Sequence, residues 1–343
     1  MFGIGKISIL ALCGMLATAS AQAETKQEIQ LTFTEPARIL SLAPFYVAIE
    51  NGFFAEEGIK AKIASGGGGR EELAALLSGQ AQFSISGPRL VFTGIEAGEK
   101  LVAIQSLNSS LTFQIAVTNT FLKAKNVTAD SPFADRVAAL SGARISTNVI
   151  GDSGDVYMRY LLKSQGHDPN SVQMFKLTGN GAKISGMQAD IVDGGIASPP
   201  FPMQAKKLGV GDLLIKASEL PMYEKLVWEV VIAKRDYVEK NPEITRKVIK
   251  AIGNGIKFAR ENPAKAAELV QPYFEGVDVG LIEASLKGMT ETFQGYGEMV
   301  PEAWKNAQTP LLEFSDLSGV SIEHDSAEGA VWTNQYIRDV FAN

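Results

Sequence analysis

A Gly-Asp-Ser-Gly quartet at residues 151–154 is the first candidate for catalytic chemistry in this sequence. The quartet surrounds the nucleophile of trypsin-like serine proteases, and a serine nucleophile needs a histidine base within hydrogen-bond reach. The chain has two histidines, and His167 follows the far end of the helix that Ser153 is predicted to open. Twelve helical residues span about 18 Å, so His167 cannot reach Ser153. The Gly-x-Ser-x-Gly pattern of the hydrolase elbow also fails here, and we predict no catalytic residue.

The same quartet could instead bind a polar or anionic group. It follows a predicted strand and opens a helix. The backbone N–H groups of Ser153, Gly154 and Asp155 would therefore lie at the positive end of the helix dipole, with Asp152 or Ser153 as the cap. A capped helix with a tight glycine turn explains the same residues equally well. Both interpretations stay open at this point.

Two arginines are candidates for contacting an anion. Ser86, Gly87 and Arg89 join a predicted strand end to a helix start. Ser86 can donate a hydrogen bond there, and Arg89 can make a bidentate contact to a carboxylate or a sulfonate. Arg38 lies in the loop after the first predicted strand and is the second candidate cation. The alternative for Arg89 is a solvent-facing side chain in the first turn of a helix.

Further candidates lie where predicted strands end. Trp228 and Tyr157 could stack on a planar ligand, although singly placed aromatic residues more often belong to a core. We predict neither a metal nor a cofactor, because the sequence has two distant histidines, no repeated acidic spacing and Cys13 as its single cysteine. The remaining candidate ligand-binding residues are Ser41, Gly66, Gly67, Asn108, Ser110, Asn148 and Ser198.

Strands and helices must alternate to position these residues. Residues 28–34 alternate apolar and polar side chains as a strand does, residues 41–58 place apolar side chains at helical spacing after Ser41 as N-cap, and residues 60–64 return to a strand. The alternation continues to residue 216, which predicts parallel sheets with helices on both faces. In such sheets, ligands bind at the loops that follow the carboxyl ends of the strands.

Two extended runs, at residues 112–118 and 226–234, interrupt this alternation. We predict that the chain crosses there between two α/β lobes, which would hinge about the crossings and close on a ligand. Two independent domains in series would explain the alternation but not the two runs. The predicted boundaries are residues 1–23 for a signal peptide, 24–112 with 228–343 for lobe 1, and 113–227 for lobe 2.

The C-terminal part is predicted to be helical. Pro242, Pro263 and Pro301 suit first helical turns, with Asn241 and Asn262 as their caps.

The N-terminus has the features of a secretory signal. Lys6 precedes an apolar run that is too short to span a bilayer, and Ala21-Gln22-Ala23 suits a cleavage site. Removal of residues 1–23 would leave 31 basic and 38 acidic side chains and no cysteine. The acidic balance argues against a nucleic-acid partner and against anionic membranes.

Two segments have a characteristic pattern: APFYVAIENGFFAEEGIKAKI at residues 43–63 and LLSGQAQFSIS at residues 76–86. Both resemble segments of solute-binding proteins of bacterial ABC importers, specifically the nitrate/sulfonate/taurine group. In the second segment, Gln82 stands where that family usually has Asp. The resemblance continues to the helices near the C-terminus and says little about the ligand.

This resemblance implies a type II periplasmic-binding-protein fold, with two α/β lobes joined by two crossing strands. It implies periplasmic capture of a small organic anion, sulfonate-like or taurine-like, and delivery to an inner-membrane permease. We expect a monomer that is not an enzyme. Nitrate suits the loops less well, since they carry more apolar side chains than so small an ion could use. The alternatives are a binder of a neutral planar pyrimidine or aromatic compound, a pyrimidine-synthesis-like enzyme, and a sensor for a membrane kinase.

Overall fold

Two mixed β-sheets of five strands each organise the part of the chain that the structure describes, which in this computed structural model comprises residues 1–2, 28–65 and 69–342. The predicted signal peptide, apart from its first two residues, and the candidates Gly66 and Gly67 lie outside these described residues. The strands are β1 (Ile29–Glu35), β2 (Ile59–Ser65), β3 (Phe83–Ser86), β4 (Leu101–Asn108), β5 (Gln114–Thr118), β6 (Arg144–Thr147), β7 (Gln173–Lys176), β8 (Gly194–Ala197), β9 (Gly211–Lys216) and β10 (Trp228–Lys234).

Helices connect and cover the strands. The α-helices are α1 (Ala43–Glu50), α2 (Phe53–Glu56), α3 (Gly69–Ser78), α4 (Arg89–Glu96), α5 (Asn119–Lys125), α6 (Phe133–Ala139), α7 (Ser153–Ser164), α8 (Asn180–Gln188), α9 (Phe201–Lys207), α10 (Pro221–Glu224), α11 (Arg235–Lys240), α12 (Pro242–Glu261), α13 (Pro263–Val270), α14 (Val279–Lys287), α15 (Pro301–Glu313), α16 (Ser315–Ser318) and α17 (Gln335–Phe341). Short 3-10 turns lie at Leu40–Leu42, Ala217–Glu219, Gln271–Tyr273 and Thr290–Thr292.

The two sheets have the same plan. The first sheet has the order β2-β1-β3-β10-β4 and the second has the order β7-β6-β8-β5-β9. In each sheet four strands run in one direction, and the fifth, β10 or β5, is antiparallel to both of its neighbours. Each antiparallel strand is the one that has just crossed from the other sheet. It enters at the edge where the parallel strands end, so it must run the opposite way.

The predicted α/β fold class with two crossings is therefore confirmed. The chain leaves the first sheet at the end of β4 and enters the second as β5, and it returns after α10 to begin β10. Both extended runs of the sequence are these returning strands. Their position places the carboxyl ends of the parallel strands of both sheets on the side of the crossings.

Local details differ from the predictions at several points. The helices α5 and α6 were not predicted. α5 has only seven residues, and the side chain of Thr118 caps it by accepting a hydrogen bond from the Phe121 N–H at 3.1 Å. Asn241 and Asn262 do precede α12 and α13, but their side chains do not cap these helices. Each amide instead donates to a backbone oxygen of the preceding helix, at 2.9 Å for Asn241.

The first sheet has an aromatic core on its α1 face. Phe33 of β1 contacts Phe45, Phe54 and Phe83 with ring-centroid separations of 5.0–5.4 Å. α1 also packs closely on the long helix α12. These contacts fix the start of α1, and with it the loop that follows β1, at the crossing side of the sheet.

A second core joins the two halves of the molecule. On α15, Trp304 packs edge-on against Phe92 of α4 at 5.6 Å, while the backbone oxygen of Ala307 accepts a hydrogen bond from the Tyr157 hydroxyl of α7 at 3.1 Å. The C-terminal segment thus contacts both sheets' helices. Among the described helices, none combines the length and the apolarity that a membrane crossing requires.

Candidate functional site

Loops at the carboxyl ends of the two sets of parallel strands meet across a cleft. The backbone N–H of Leu40, after β1, donates to the oxygen of Pro199, after β8, at 3.2 Å. Next to the first crossing, the hydroxyls of Thr112 and Ser198 lie 2.7 Å apart. The predicted facing of the two loop edges is observed here. Any ligand held at these edges would contact both halves at once.

Glu35, the last residue of β1, is a buried carboxylate on this edge. Tyr46 and Ser65 donate hydrogen bonds to its two oxygens at 2.7 Å each, and Arg38 forms an ion pair with it. Burial raises the pKa of the Glu35 carboxyl, and the three donors oppose that rise. Its two oxygens are satisfied by these donors, so Glu35 is a structural carboxylate that fixes the Arg38 loop.

Glu229 is a second buried carboxyl group, at the start of β10. Its Oε1 accepts a hydrogen bond from Ser41 at 3.2 Å, and its Oε2 is buried without a partner. Its backbone has a φ of +52°, which is unusual for a residue other than glycine. Ser41 was predicted as the N-cap of α1, but α1 begins at Ala43 and the hydroxyl turns to Glu229 instead.

Glu72, in the first turn of α3, is the third carboxyl group. Ser86, the last residue of β3, donates to its Oε2 at 2.8 Å, and its Oε1 is buried without a partner. The predicted donor Ser86 is therefore directed at a protein carboxyl group. Two of the three carboxyl groups at this edge keep an unsatisfied oxygen in the described part of the chain.

The environment shifts the titration of these groups strongly. The pKa of Glu229 is raised to about 8, mainly by burial. The Ser41 hydrogen bond opposes the rise, and the nearby Glu72 and Glu35 carboxyls contribute to it. Burial likewise raises the pKa of Glu72 to about 7, with Glu35 and Glu71 adding to the rise and Ser86 opposing it. The first sheet thus presents weakly acidic, mutually repelling carboxyl groups to the cleft.

In the second sheet, the loop after β6 has the predicted cap. Asp152 Oδ1 accepts hydrogen bonds from the Asp155 N–H at 3.0 Å and from the Thr147 hydroxyl at 2.7 Å. Asp155 pairs with Arg159 at 2.7 Å and accepts from the Gly151 N–H at 2.9 Å. Ser153 and Gly154 form the first turn of α7. The side chains of Asp152 and Asp155 are therefore engaged in building this loop.

A buried lysine that was not predicted lies beside this loop. Lys183 of α8 is fully buried, and its ammonium donates to the side-chain oxygen of Asn148. Burial lowers the pKa of Lys183 to about 8, and the Asp152 carboxylate opposes that change. An ammonium has three donors. The cleft edge of the second sheet therefore carries a dehydrated cation next to Asn148, which was predicted to bind the ligand.

The two predicted arginines are engaged with the protein. Arg38 pairs with Glu35 and lies over the rings of Tyr46 and Tyr273, at 5.7 and 5.2 Å from their centroids. Arg89 reaches across the cleft and donates to the backbone oxygen of Gly151 at 2.7 Å. Its second contact is the backbone oxygen of Leu317, at 3.3 Å in the C-terminal segment. Burial lowers the pKa of Arg89.

Several other predicted residues lie at the crossings. The Asn108 amide donates to the Ser41 backbone oxygen and accepts from the Thr292 hydroxyl, each at 2.9 Å, and Ser110 is buried in the first crossing. Asn108 also lines a cavity of about 180 Å³ beside the crossings. The side chain of Asn108, at the end of β4, therefore ties the loop after β1 to the strand that leads into the first crossing.

The aromatic candidates are core residues in this structure. Tyr157 and Trp228 are almost fully buried and pack edge-on with centroids 5.6 Å apart, with Phe113 against both. The ring of Trp228 also covers Gly87, where a β-carbon would lie 3.4 Å from it. The cluster packs Phe113 of the first crossing against Trp228 of the second and against Tyr157 of α7.

Glu35, Glu72, Lys183 and Glu229 are cleft residues that the sequence did not predict. Glu229 had a detectable signal, because it is a lone acid inside the apolar run Leu226–Ala233. The other three sit in ordinary polar contexts, and only the fold buries them. No group of three or more histidine, cysteine, aspartate or glutamate side chains arranged to hold a metal ion occurs within the described ranges.

Comparison with known proteins provides an independent line of evidence. Residues 40–266, about two thirds of the chain, match the family model described as NMT1/THI5 like. A Brucella abortus protein provisionally named as a binding protein is 24% identical over 258 residues, which cover 74% of this chain and 75% of that protein.

Two solved structures share the fold at low sequence identity. The periplasmic aliphatic sulphonate binding protein SsuA of Escherichia coli superposes with a TM-score of 0.68 at 18% identity, covering 90% of this chain and 99% of that one. The periplasmic nitrate-binding protein NrtA of Synechocystis PCC 6803 gives a TM-score of 0.67 at 16% identity, covering 91% and 88% of the two chains. At these identities the likeness establishes the periplasmic-binding-protein fold, as predicted.

Proposed function

The chain belongs to the NMT1/THI5-like family, and we propose on that basis that it is the substrate-binding component of an ABC importer. Its solute is a small organic anion that binds in the cleft between the sheets. The names of its structural relatives, which bind sulphonate or nitrate, support this class of cargo. The cleft itself supports solute capture, because loops from both halves contact each other across it.

The observation that carries the anion assignment is the buried ammonium of Lys183. It lies at the cleft edge of the second sheet, where it donates to the side-chain oxygen of Asn148, beside the first turn of α7. A dehydrated cation of this kind interacts strongly with an anion because water does not screen it. The backbone N–H groups at the start of α7, Ser153 and Gly154, would add to the attraction.

The remaining parts of the proposal follow from this role. Residues 1–23 act as a cleaved signal, so the mature protein works in the periplasm as a monomer and hands its solute to an inner-membrane permease. Residues 24–112 with 228–343 form one lobe and residues 113–227 the other. The protein performs no catalytic step. Ser153 has no base, because His167 follows the far end of α7 and His324 stacks on Phe92 at 5.4 Å.

A thermal-shift screen followed by calorimetry tests this function. Nitrate, ethanesulfonate, 2-aminoethanesulfonate and benzoate are offered to the purified protein, and at least one organic anion is expected to stabilise it. A ligand at 100 times its Kd adds about 2.7 kcal/mol to the free energy of unfolding. Lys183→Gln is expected to weaken anion binding about tenfold or more, because it removes one charge-assisted hydrogen bond.

Lys123→Gln is the matched control, since Lys123 is an exposed lysine of the same half of the molecule. It should leave the affinity unchanged. If Lys183→Gln bound the anion as tightly as the wild type, Lys183 would not be part of the binding site. The absence of stabilisation by every anion would contradict the proposed cargo.

A further inference from the structure

Four buried polar side chains on the strands of the first sheet and on α3, toward the cleft edge, keep atoms without a partner. They are Thr34, Glu72, Ser84 and Glu229, and each is at most 4% exposed. The unpartnered atoms are two hydroxyl oxygens and one carboxyl oxygen from each glutamate. Buried polar groups are normally hydrogen-bonded, because leaving one unpaired costs free energy. Four such atoms near one another indicate a group that the protein itself does not supply.

The strand register brings these side chains together. Thr34 and Ser84 are partners in the parallel pairing of β1 with β3, so their side chains project from the same face. Ser86 lies two residues further along β3 on that face, and it donates to Glu72 at 2.8 Å. On the neighbouring strand Val230 is in register with Ser86, so Glu229 lies one residue beyond this pair, at the cleft edge. Glu229 is close enough to Glu72 for the Glu72 carboxyl to raise its pKa.

The charges at this location are unbalanced. Among the described residues, the ion pairs of the first sheet's edge include Glu35 with Arg38 but neither Glu72 nor Glu229. The groups that shift the pKa of Glu229 are Ser41, Glu72 and Glu35, and those that shift Glu72 are Ser86, Glu35 and Glu71. None is a cation. Two carboxyl groups without a counter-ion attract a positive group that can donate hydrogen bonds.

We propose that Glu72 and Glu229, with the hydroxyls of Thr34 and Ser84, form a subsite for a cationic nitrogen of the solute. The nitrogen belongs to an amine, an amidine or a protonated aminoheterocycle. The inference rests on the proposed function, since it assumes that the cleft binds a solute. Together with Lys183 on the opposite edge, this subsite selects a solute that carries both an anionic and a cationic group.

Two sets of probes test the subsite by calorimetry on the purified protein. In the first, 2-aminoethanesulfonate is compared with 2-hydroxyethanesulfonate, which keeps the anion and replaces the amine. In the second, benzamidine is compared with benzamide and benzoate, which have the same shape and differ in charge. We expect the nitrogen cation to bind about tenfold or more tightly than its uncharged counterpart in at least one set.

Variants assign the preference to the two carboxyl groups. Glu72→Gln and Glu229→Gln are each expected to lower the affinity for the cationic probe about thirtyfold, because each removes one partner of a buried charge pair. Glu71→Gln is the control, because Glu71 is the exposed neighbour of Glu72. The preference should survive in this control.

The pH dependence of the wild-type protein provides a second readout that does not depend on the variants folding. A cation must displace the protons held by these carboxyl groups. Its affinity should therefore rise between pH 6 and pH 8, by up to about tenfold per pH unit for each proton released. Affinity for the same cation that falls or stays level over this range would overturn the subsite.

The outcomes separate this inference from the proposed function. Tight binding of the sulfonates with no advantage for the amine, and none for the amidine, would overturn the subsite and leave solute capture standing. Preference for the cationic probes that is lost in both glutamine variants supports it. Failure of every probe to bind would count against both proposals.

Discussion

At the residue scale, the buried carboxyl groups of the cleft cost the protein stability at neutral pH. Glu229 and Glu72 are protonated in the folded protein at pH values where the unfolded chain has ionised them, because burial raises the pKa of these carboxyls to about 8 and about 7. A carboxyl whose pKa is raised on folding stabilises the fold below its unfolded pKa, and this contribution is lost as pH rises through the folded pKa.

The ligand-free protein should therefore lose stability between pH 4.5 and pH 8. Glu229→Gln removes one titrating group while keeping the shape, so its unfolding free energy should decline less over this range, by on the order of a few kcal/mol. Urea denaturation at a series of pH values measures the difference. Glu275→Gln, which changes an exposed carboxyl away from the cleft, should follow the wild type. A variant as pH-sensitive as the wild type would refute the assignment of the slope to Glu229.

At the element scale, the packing of α1 on α12 fixes the loop that leads from β1 into the cleft. Gly255 of α12 allows this approach, because a β-carbon at that position would lie 2.1 Å from the backbone oxygen of Pro44. A change of side-chain rotamer could not relieve this clash, because the atom that the β-carbon would meet belongs to the backbone. The start of α1, and with it Ser41 beside Glu229, is thus positioned by a glycine on a distant helix.

Gly255→Ala should separate the two helices and destabilise the fold by about 1–3 kcal/mol, as overpacking a core usually does. It should also weaken ligand binding, because Ser41 moves with α1. Thermal unfolding and calorimetry measure both effects. Gly181→Ala is the matched control: a β-carbon there meets no atom within 4 Å, so this variant should be neutral or slightly stabilising. Equal stability of the two variants would contradict the close approach.

At the scale of the whole molecule, Arg89 links the two halves. Its guanidinium joins α4 of the first half to Gly151 of the second and to Leu317 of the C-terminal segment. α15 also contacts both halves: Trp304 packs on Phe92, and the backbone oxygen of Ala307 accepts a hydrogen bond from the Tyr157 hydroxyl. The closed arrangement is therefore stabilised by contacts that do not involve a solute.

Arg89→Ala should shift the ligand-free protein toward an open form and lower ligand affinity about tenfold, because binding must then supply the closure free energy. Solution scattering without ligand should give a larger radius of gyration than the wild type, and saturating ligand should restore compaction. Arg260→Ala removes a similar pair of hydrogen bonds, to Phe293 and Gly295, within one half of the molecule. It should leave scattering and affinity unchanged. Identical scattering of Arg89→Ala and the wild type would exclude the link.

The sequence by itself determined the fold class. Alternating strands and helices, with the extended runs at 112–118 and 226–234, specify two sheets and two crossings, because apolar periodicity is a local property of the chain. The sequence also determined the Asp152 cap and the starts of the proline-led helices. These features depend on residues within one turn of each other.

Only the tertiary structure decided the character of the cleft. The candidate cations Arg38 and Arg89 bind Glu35 and backbone oxygens, whereas Lys183 and Glu229 became buried ionisable groups. Whether a side chain is dehydrated, and which partner it meets, depends on segments far apart in the chain: Ser41 and Glu229 are 188 residues apart. Burial and long-range pairing set the electrostatics of a site, and no local pattern in the sequence records them.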